Sequence, residues 1–269
     1  MSTYFQDKIA VVTGGSEGIG KSLVEALLSM GAKVATCARN QDKLYDLQLQ
    51  YSGRPLHTIV ADVSNENDCR MFIESTIKTF GGIDILINNA GISMRALVRE
   101  TTIETLRSVM EINFWGMVYC TKYAMANIIE RKGDIIGVSS IAGYRGLPGR
   151  SGYSASKFAM NGWLESLRIE LYLTGVNVMW VAPGFTTSNI RVEALNPEAL
   201  KSGMSSMDEE KLMSSEECAG HILKAVEKRK RTLILTPTGR RTVLMNKLFP
   251  NLADKLIRKF YYKDDSLVK

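Results

Sequence analysis

Lys8-Ile9-Ala10-Val11-Val12-Thr13-Gly14-Gly15-Ser16-Glu17-Gly18-Ile19-Gly20 decides the fold. A short, apolar, β-favouring run stops at a glycine-rich turn. The turn runs into a helix with Leu23, Ala26, Leu27 and Met30 on one side, which Gly31 closes. A strand, a glycine turn and a helix N-terminus in this order make an anion site. Backbone N–H groups and the helix dipole face a pyrophosphate, and glycine allows its close approach. The candidate contacts are Gly14, Ser16, Gly18, Ile19 and Gly20. Their spacing is Gly-x-x-x-Gly-x-Gly, not the Gly-x-Gly-x-x-Gly of the commoner dinucleotide fingerprint.

Outward from this stretch, the second strand, 33–37, is followed by Ala38 and Arg39. NAD-preferring dinucleotide folds place an acidic residue about here to bind the ribose hydroxyls, whereas a guanidinium suits a 2′-phosphate. The expected cofactor is therefore NADP(H), with NAD(H) as the alternative, and Lys43 is read as lying on a solvated helix face. A third strand, 56–60, ends before Asp62 and Val63. Asp62 either accepts a hydrogen bond from an adenine amino group or caps the next helix, a role for which Ser64 is better placed. A fourth strand, 83–87, leads into Asn88-Asn89-Ala90-Gly91, a turn read as lying beside the cofactor, with Asn89 among its contacts. Asn113 interrupts an apolar stretch inside a helix expected over 102–131. A mid-helix asparagine needs partners, and either a site or a core hydrogen bond supplies them.

The chemistry is read from 134–157. A buried strand ends at Ser139 and Ser140, and Ser151 is expected to cap a helix carrying Tyr153 and Lys157. Four residues apart, these two share a helix face. A free phenol titrates near ~10. An ammonium about 4 Å away interacts with a phenolate by roughly 4 kcal/mol at an effective dielectric of ~20. At ~1.4 kcal/mol per unit, that charge lowers a tyrosine by up to ~3 units. Such a tyrosine exchanges a proton with an alcohol or carbonyl oxygen, which a neighbouring serine hydroxyl holds in place.

Strand and helix alternate six times with short connections, ending with a strand at 176–181 and Ala182-Pro183-Gly184. The pattern predicts an α/β, doubly wound Rossmann-type parallel sheet of about seven strands with helices on both faces. Ligands bind at the carboxyl ends of such strands, where Gly14, Arg39, Asp62, Asn88, Ser140 and Pro183 all fall.

Taken together, Thr13-Gly-x-x-x-Gly-Ile-Gly20, Asp62-Val63, Asn88-Asn-Ala-Gly91, Asn113, Ser140, Tyr153-x-x-x-Lys157 and Pro183-Gly184 resemble the motif set of the short-chain dehydrogenase/reductases. The resemblance covers roughly residues 8–192. It implies hydride transfer between a nicotinamide cofactor and a carbonyl or alcohol. Tyr153 would be the general acid/base, and Lys157 would lower its pKa and hold the nicotinamide ribose. Ser140 would orient the substrate oxygen, and Asn113 would anchor a water relaying protons through Lys157. Asp62 and Val63 would contact adenine, while Pro183, Gly184 and Thr186 would lie near the nicotinamide. NADP-preferring members often carry a basic residue where this chain has Glu17, which leaves Arg39 as the main argument for NADP(H). Many tetrameric members end in a strand followed by Asp-Gly-Gly; here Thr232-Leu-Ile-Leu-Thr-Pro-Thr-Gly239 and a further tail stand instead. The expected assembly is a homodimer or homotetramer, the dimer built on the long helices around Trp115 and Trp163.

The 269 residues are 45% hydrophobic, enough for one large core, so 1–269 is read as a single Rossmann-type oxidoreductase domain. Two subregions stand out, a substrate lid over 185–213 and a helical C-terminal extension over 240–263. In the lid, Phe185, Met204, Met207 and Met213 offer adaptable apolar contacts, either to a lipophilic substrate or to the core. Met94, Tyr144 and Leu147 are expected in the same pocket. Arg95, Arg145 and Arg150 face either an acidic substrate group or solvent. In the tail, Leu244, Leu248, Phe249, Leu252, Leu256, Ile257 and Phe260 recur at helical spacing among Lys247, Lys255, Arg258 and Lys259, and Pro250 divides it into two helices. The stripe is expected to pack on its own subunit or a dimer partner, or to rest on an anionic membrane surface.

Cys37, Cys69, Cys120 and Cys218 are far apart and read as reduced thiols of a cytoplasmic protein. His57, placed before a strand, and His221 make no zinc site with them, and no metal is expected. There is no apolar run of about 18 residues and no signal-peptide core. The net charge of +6 is spread along the chain apart from Lys228-Arg-Lys-Arg231 and the C-terminal tail, and the basic tail has no groove-reading element, so no nucleic-acid partner is expected. The sequence-level reading is an NADP(H)-dependent oxidoreductase acting on a lipophilic carbonyl or secondary alcohol. The alternatives are a non-catalytic NADP(H)-binding sensor or scaffold and an NAD-linked alcohol dehydrogenase.

Overall fold

The computed structural model describes residues 3–187, 190–197, 200, 212–264 and 266–268. Seven parallel strands make one sheet: β1 (Ile9–Thr13), β2 (Lys33–Ala38), β3 (Leu56–Val60), β4 (Ile85–Asn88), β5 (Asp134–Val138), β6 (Asn177–Ala182) and β7 (Thr232–Ile234). Their order is β3-β2-β1-β4-β5-β6-β7, so the winding reverses between β1 and β4. Such a reversal opens a crevice at the carboxyl ends of the strands.

Both faces of the sheet are covered, which is why its strands read as unbroken apolar runs. On one face lie α1 (Gly18–Ser29), α2 (Gln41–Gln50) and α7 (Ser215–Glu227), whose Leu23, Leu27, Leu47, Ile222 and Val226 form a core with Val12, Ile87 and Val181. On the other lie α3 (Glu66–Phe80), α5 (Gly116–Glu130) and α6 (Ser151–Glu170), contributing Phe72, Ile73, Met117, Met160 and Leu164. Two further helices, α8 (Pro237–Leu248) and α9 (Pro250–Tyr261), follow β7, and a short hairpin, β8 (Tyr262–Lys263) and β9 (Ser266–Leu267), comes after them. Pro250 divides the tail as its sequence requires, although α8 starts at Pro237 rather than 240.

Several local expectations are corrected. The expected 102–131 helix is three pieces: α4 (Ile103–Met110), a π-helical segment (Glu111–Trp115) and α5. The wider turn falls where Asn113 draws its side chain onto Ile92 and Ser156, as π segments often do at functional positions. Neither Asp62 nor Ser64 caps α3. Asn65 does, accepting from the N–H groups of Asn67 and Asp68. Ser151 is the first residue of α6 and caps nothing; Arg150 holds the cap position without a side-chain bond. His57 lies within β3, its Nε2 2.8 Å from Ser75 Oγ, a packing role.

Candidate active site

The glycine turn is built for close approach. Gly14 and Gly18 have φ of 68° and 55°, a region that favours glycine. A Cβ at Gly20 would lie 2.1 Å from the Gly14 carbonyl oxygen and 2.5 Å from Asn89 Nδ2. Glu17 precedes α1 without capping it by its side chain, so the first N–H groups of the helix face the crevice. The Glu17 carboxylate is held instead by Lys43 Nζ at 2.5 Å. Lys43 lies on a solvated face of α2, as expected, and that face also borders the crevice. Asn89 fixes the turn from the side: its amide donates to the carbonyls of Thr13 (3.0 Å) and Gly14 (3.2 Å). Thr13 Oγ1 accepts from the backbone N–H groups of Asn89 and Ala90.

A single cavity of about 1400 Å³ runs from this turn across the sheet edge. At the glycine end it meets Arg39, Asp62 and Val63. Asp62 Oδ1 accepts from the N–H and hydroxyl of Ser64, which points the carboxylate along the rim. Val63 packs so closely on α5 that a Cβ at Gly116 would stand 2.9 Å from it. At the other end are Ser140, Tyr153, Lys157, Pro183, Gly184 and Thr186.

Ser140 follows β5 and opens a short 3₁₀ turn (Ile141–Gly143), its hydroxyl accepting from Ala142 N–H at 3.1 Å. Tyr153 and Lys157 lie one turn apart on α6 and are both buried. Lys157 Nζ donates to the Val138 carbonyl at 2.8 Å and sits 5.7 Å from the centroid of the Tyr153 ring. Burial pushes Lys157 down to about 7. Burial also holds the Tyr153 phenol above its ordinary value, against the opposing pull of the Ser140 hydroxyl and the Arg150 and Arg191 guanidiniums. The sequence-level arithmetic, in which a fully charged lysine brings the tyrosine down, is thus corrected. Both groups are desolvated together, so the neutral form of each is favoured.

Asn113 does not line the cavity. Its Oδ1 accepts from Ile92 N–H at 2.8 Å, and its Nδ2 donates to Ile92 O and Ser156 Oγ, both at 2.9 Å. With those bonds made and the side chain fully buried, the amide clamps the strand-end loop to the π segment and α6. A Cβ at Gly91 would stand 3.1 Å from Asn113 Oδ1 and 3.5 Å from Lys157 Nζ, so this loop passes between the two residues.

The substrate end differs from expectation. Leu147 lines it, but Met94 is buried behind Tyr153, and the Tyr144 hydroxyl accepts from Trp180 Nε1 at 2.7 Å, outside the cavity. Arg150 lines the cavity and Arg95 does not. Arg145 bonds Asn246 at 2.7 Å and pairs with Asp254, tying both tail helices to the loop before α6. Of the expected lid, Phe185 lines the cavity and Met213 packs on the core, while Met204 and Met207 lie outside the described residues. Sequence reasoning missed two contributors. Arg191 is buried and donates to Thr186 O at 2.9 Å, and no periodic or spacing signal marks it. The tail supplies a wall through Met245, Ala253, Leu256, Ile257, Phe260 and Tyr261. Its amphipathic spacing announced a covered face without saying what that face covers.

Against known proteins, the short chain dehydrogenase family model matches residues 8–206. Dehydrogenase/reductase SDR family member 7B of Mus musculus is 32% identical, over 87% of this chain and 74% of that protein. The uncharacterized oxidoreductase YxnA of Bacillus subtilis is 33% identical, over 96% of this chain and 73% of its own. A crystal structure of a short chain dehydrogenase/reductase from Burkholderia phymatum in complex with NAD superposes with a TM-score of 0.83 at 22% identity, covering 93% of this chain and 96% of that one. This last likeness bears on the fold alone.

Proposed function

The chain belongs to the short-chain dehydrogenase/reductase family, and from that premise we propose that it reduces the carbonyl of a lipophilic small molecule with NADPH. The observation carrying this reading is the meeting, in one cavity, of a glycine cradle that a methyl group would fill and the Ser140, Tyr153 and Lys157 side chains.

The chain's residues fit a dinucleotide. Gly14, Ser16, Gly18, Ile19 and Gly20 would hold its pyrophosphate on the open N–H groups of α1, and Asp62 and Val63 its adenine. Asn89 holds the cradle in shape. Pro183, Gly184 and Thr186 would flank the nicotinamide, with Lys157 near its ribose. A bound nicotinamide supplies the hydride. Arg39, exposed on the rim, suits a 2′-phosphate, and Lys43, which neutralises Glu17, removes the nearest repulsion. An NAD-linked enzyme is the second reading, favoured by Glu17 itself.

Ser140 and Tyr153 place two hydroxyls where a substrate oxygen can accept from both. Burial holds the phenol above its ordinary value, which suits Tyr153 to donating a proton to the substrate oxygen. Lys157, titrating near 7, can return a proton to the phenol. Asn113 is assigned a positioning role, since its side chain is fully committed to protein partners.

The apolar lining from Leu147, Phe185, Ile190, Leu256, Ile257 and Phe260 supports a lipophilic substrate. Residues 1–269 are read as one unit, and Phe185, at the start of the expected 185–213 lid, lines the cavity. Trp115, stacked on Tyr119, and Phe158 are exposed on the outer faces of the π segment, α5 and α6, which supports dimerisation there. Four buried, free cysteines support a cytoplasmic setting.

The test is titration with NADPH and NADH, then turnover of a panel of water-soluble and long-chain ketones and aldehydes. Tighter NADPH binding and reduction of apolar carbonyls are expected. Tighter NADH binding would replace the first reading by the second. Cofactor binding with no turnover of any carbonyl or alcohol would leave a nucleotide-binding protein.

A further inference from the structure

The tail carries more apolar surface than the cavity uses. Leu244, Leu248, Phe249, Leu252, Leu256 and Phe260 are between 38% and 60% exposed, all within α8, α9 and their junction. On α9, Leu252, Leu256 and Phe260 follow one another at intervals of four and so form one row along the helix. The buried Ala253 and Tyr261 lie beside that row and face inward. Leu256 and Phe260 belong to this row and also line the cavity. The cavity wall and this apolar row therefore share residues of one helix, and Phe260 stacks against Phe185, which also lines the cavity, ring centroids 6.3 Å apart.

Charge selects the occupant. Residues 240–263 carry seven basic side chains, Arg240, Arg241, Lys247, Lys255, Arg258, Lys259 and Lys263. They carry one acidic side chain, Asp254, which Arg145 pairs. Lys255 and Lys259 run beside the Leu252-Leu256-Phe260 row. A second copy seated on this face would bring two such clusters together against their mutual repulsion. An apolar row beside lysines suits the boundary of a bilayer with anionic headgroups, where leucine and phenylalanine enter the acyl region and lysine stays among the phosphates. No described helix is long and apolar enough to cross a membrane, so this contact lies at the surface.

We propose that α8 and α9 dock on an anionic lipid surface and that the substrate enters the cavity from the bilayer, between Phe260 and Phe185. The inference rests on the lipophilic-substrate reading above and adds where that substrate comes from.

The test uses the full chain and vesicles of phosphatidylcholine, alone or with roughly a third phosphatidylserine, in co-sedimentation at low and high salt. The wild type is expected to sediment with the anionic vesicles and to be released by salt. Leu248→Glu/Leu252→Glu, at two positions outside the cavity, is expected to weaken vesicle binding at least about tenfold. It should leave turnover of a water-soluble carbonyl unchanged and slow turnover of a long-chain ketone held in vesicles. The charge reversal Lys255→Glu/Lys259→Glu should release the protein from anionic vesicles alone. A wild type that stays in the supernatant with anionic vesicles at low salt overturns the proposal. So does vesicle binding that survives both double variants, or concentration-dependent self-association that both variants abolish. Vesicle binding is read without turnover and soluble-carbonyl turnover without vesicles, so this proposal and the functional reading fail separately.

Discussion

Lys157 is tethered by its ammonium group to the carbonyl oxygen of Val138 at 2.8 Å, a contact that joins the helix carrying Tyr153 to the end of β5. The tether fixes the group in a place where burial lowers it to about 7, against ~10.4 in an unfolded chain. Between those values the unfolded state binds one proton more, so stability rises with pH from about 7 to ~10. Lys157→Met is expected to abolish turnover. It should also raise the melting temperature at pH 6 to 7, a gain that shrinks as pH approaches ~10. Thermal unfolding across that pH range checks the sign; a gain that grows with pH would contradict it.

Tyr153→Phe keeps the packed ring and removes the proton donor. Turnover is expected to fall by about 10²–10⁴-fold while dinucleotide affinity changes little. Single-turnover kinetics and cofactor titration separate the two effects. A variant that kept full turnover would remove Tyr153 from the proton path.

Arg39 and Lys43 divide the work at the cofactor rim. Arg39→Ala is expected to weaken NADPH binding by about ten- to a hundredfold and leave NADH binding unchanged. Lys43→Ala strips the partner from Glu17 and turns its carboxylate toward the same phosphate, so it should also weaken NADPH selectively. Calorimetric titration with both cofactors decides the matter; equal losses for both would place these residues elsewhere on the dinucleotide.

Gly20→Ala sets helix propensity against space. Alanine favours the helix by about 1 kcal/mol. Yet its Cβ would lie 2.1 Å from the Gly14 carbonyl oxygen, and the overpacking cost of about 1–3 kcal/mol outweighs that gain. A lower melting temperature and at least about tenfold weaker dinucleotide binding are expected. Unchanged binding would show that the turn can widen freely.

Asn113→Leu leaves the N–H and carbonyl of Ile92 without their side-chain partner, while the Ser156 hydroxyl keeps its bond to the Tyr153 carbonyl. A stability loss of about 2–3 kcal/mol should accompany the fall in activity, read by chemical denaturation. A loss of activity at full stability would instead mark Asn113 as acting on the reaction alone.

The parallel sheet, its strand ends and most of the site were legible because they rest on local patterns. The run from Ile9 to Thr13, the 66–80 helix and the Tyr153–Lys157 spacing each carry their own information. The π segment escaped because it depends on where the Asn113 amide finds partners, and Ile92 and Ser156 are 21 and 43 residues away. The protonation of Tyr153 and Lys157 escaped for a related reason. Spacing places two side chains on one face but says nothing of the solvent removed by the helices and loops around them. Arg191 and the tail wall are long-range arrangements of the same kind.

Arg145, bonded to Asn246 of α8 and paired with Asp254 of α9, ties the tail to the loop before α6. In the order of synthesis, the cradle for the dinucleotide leaves the ribosome first, and the wall of the substrate chamber emerges after every other element of the site. A nascent chain halted after β7 would already own a cofactor shelf and Tyr153, without the wall that α8 and α9 supply to the cavity. Only with α8 and α9 in place is the cavity walled on that side.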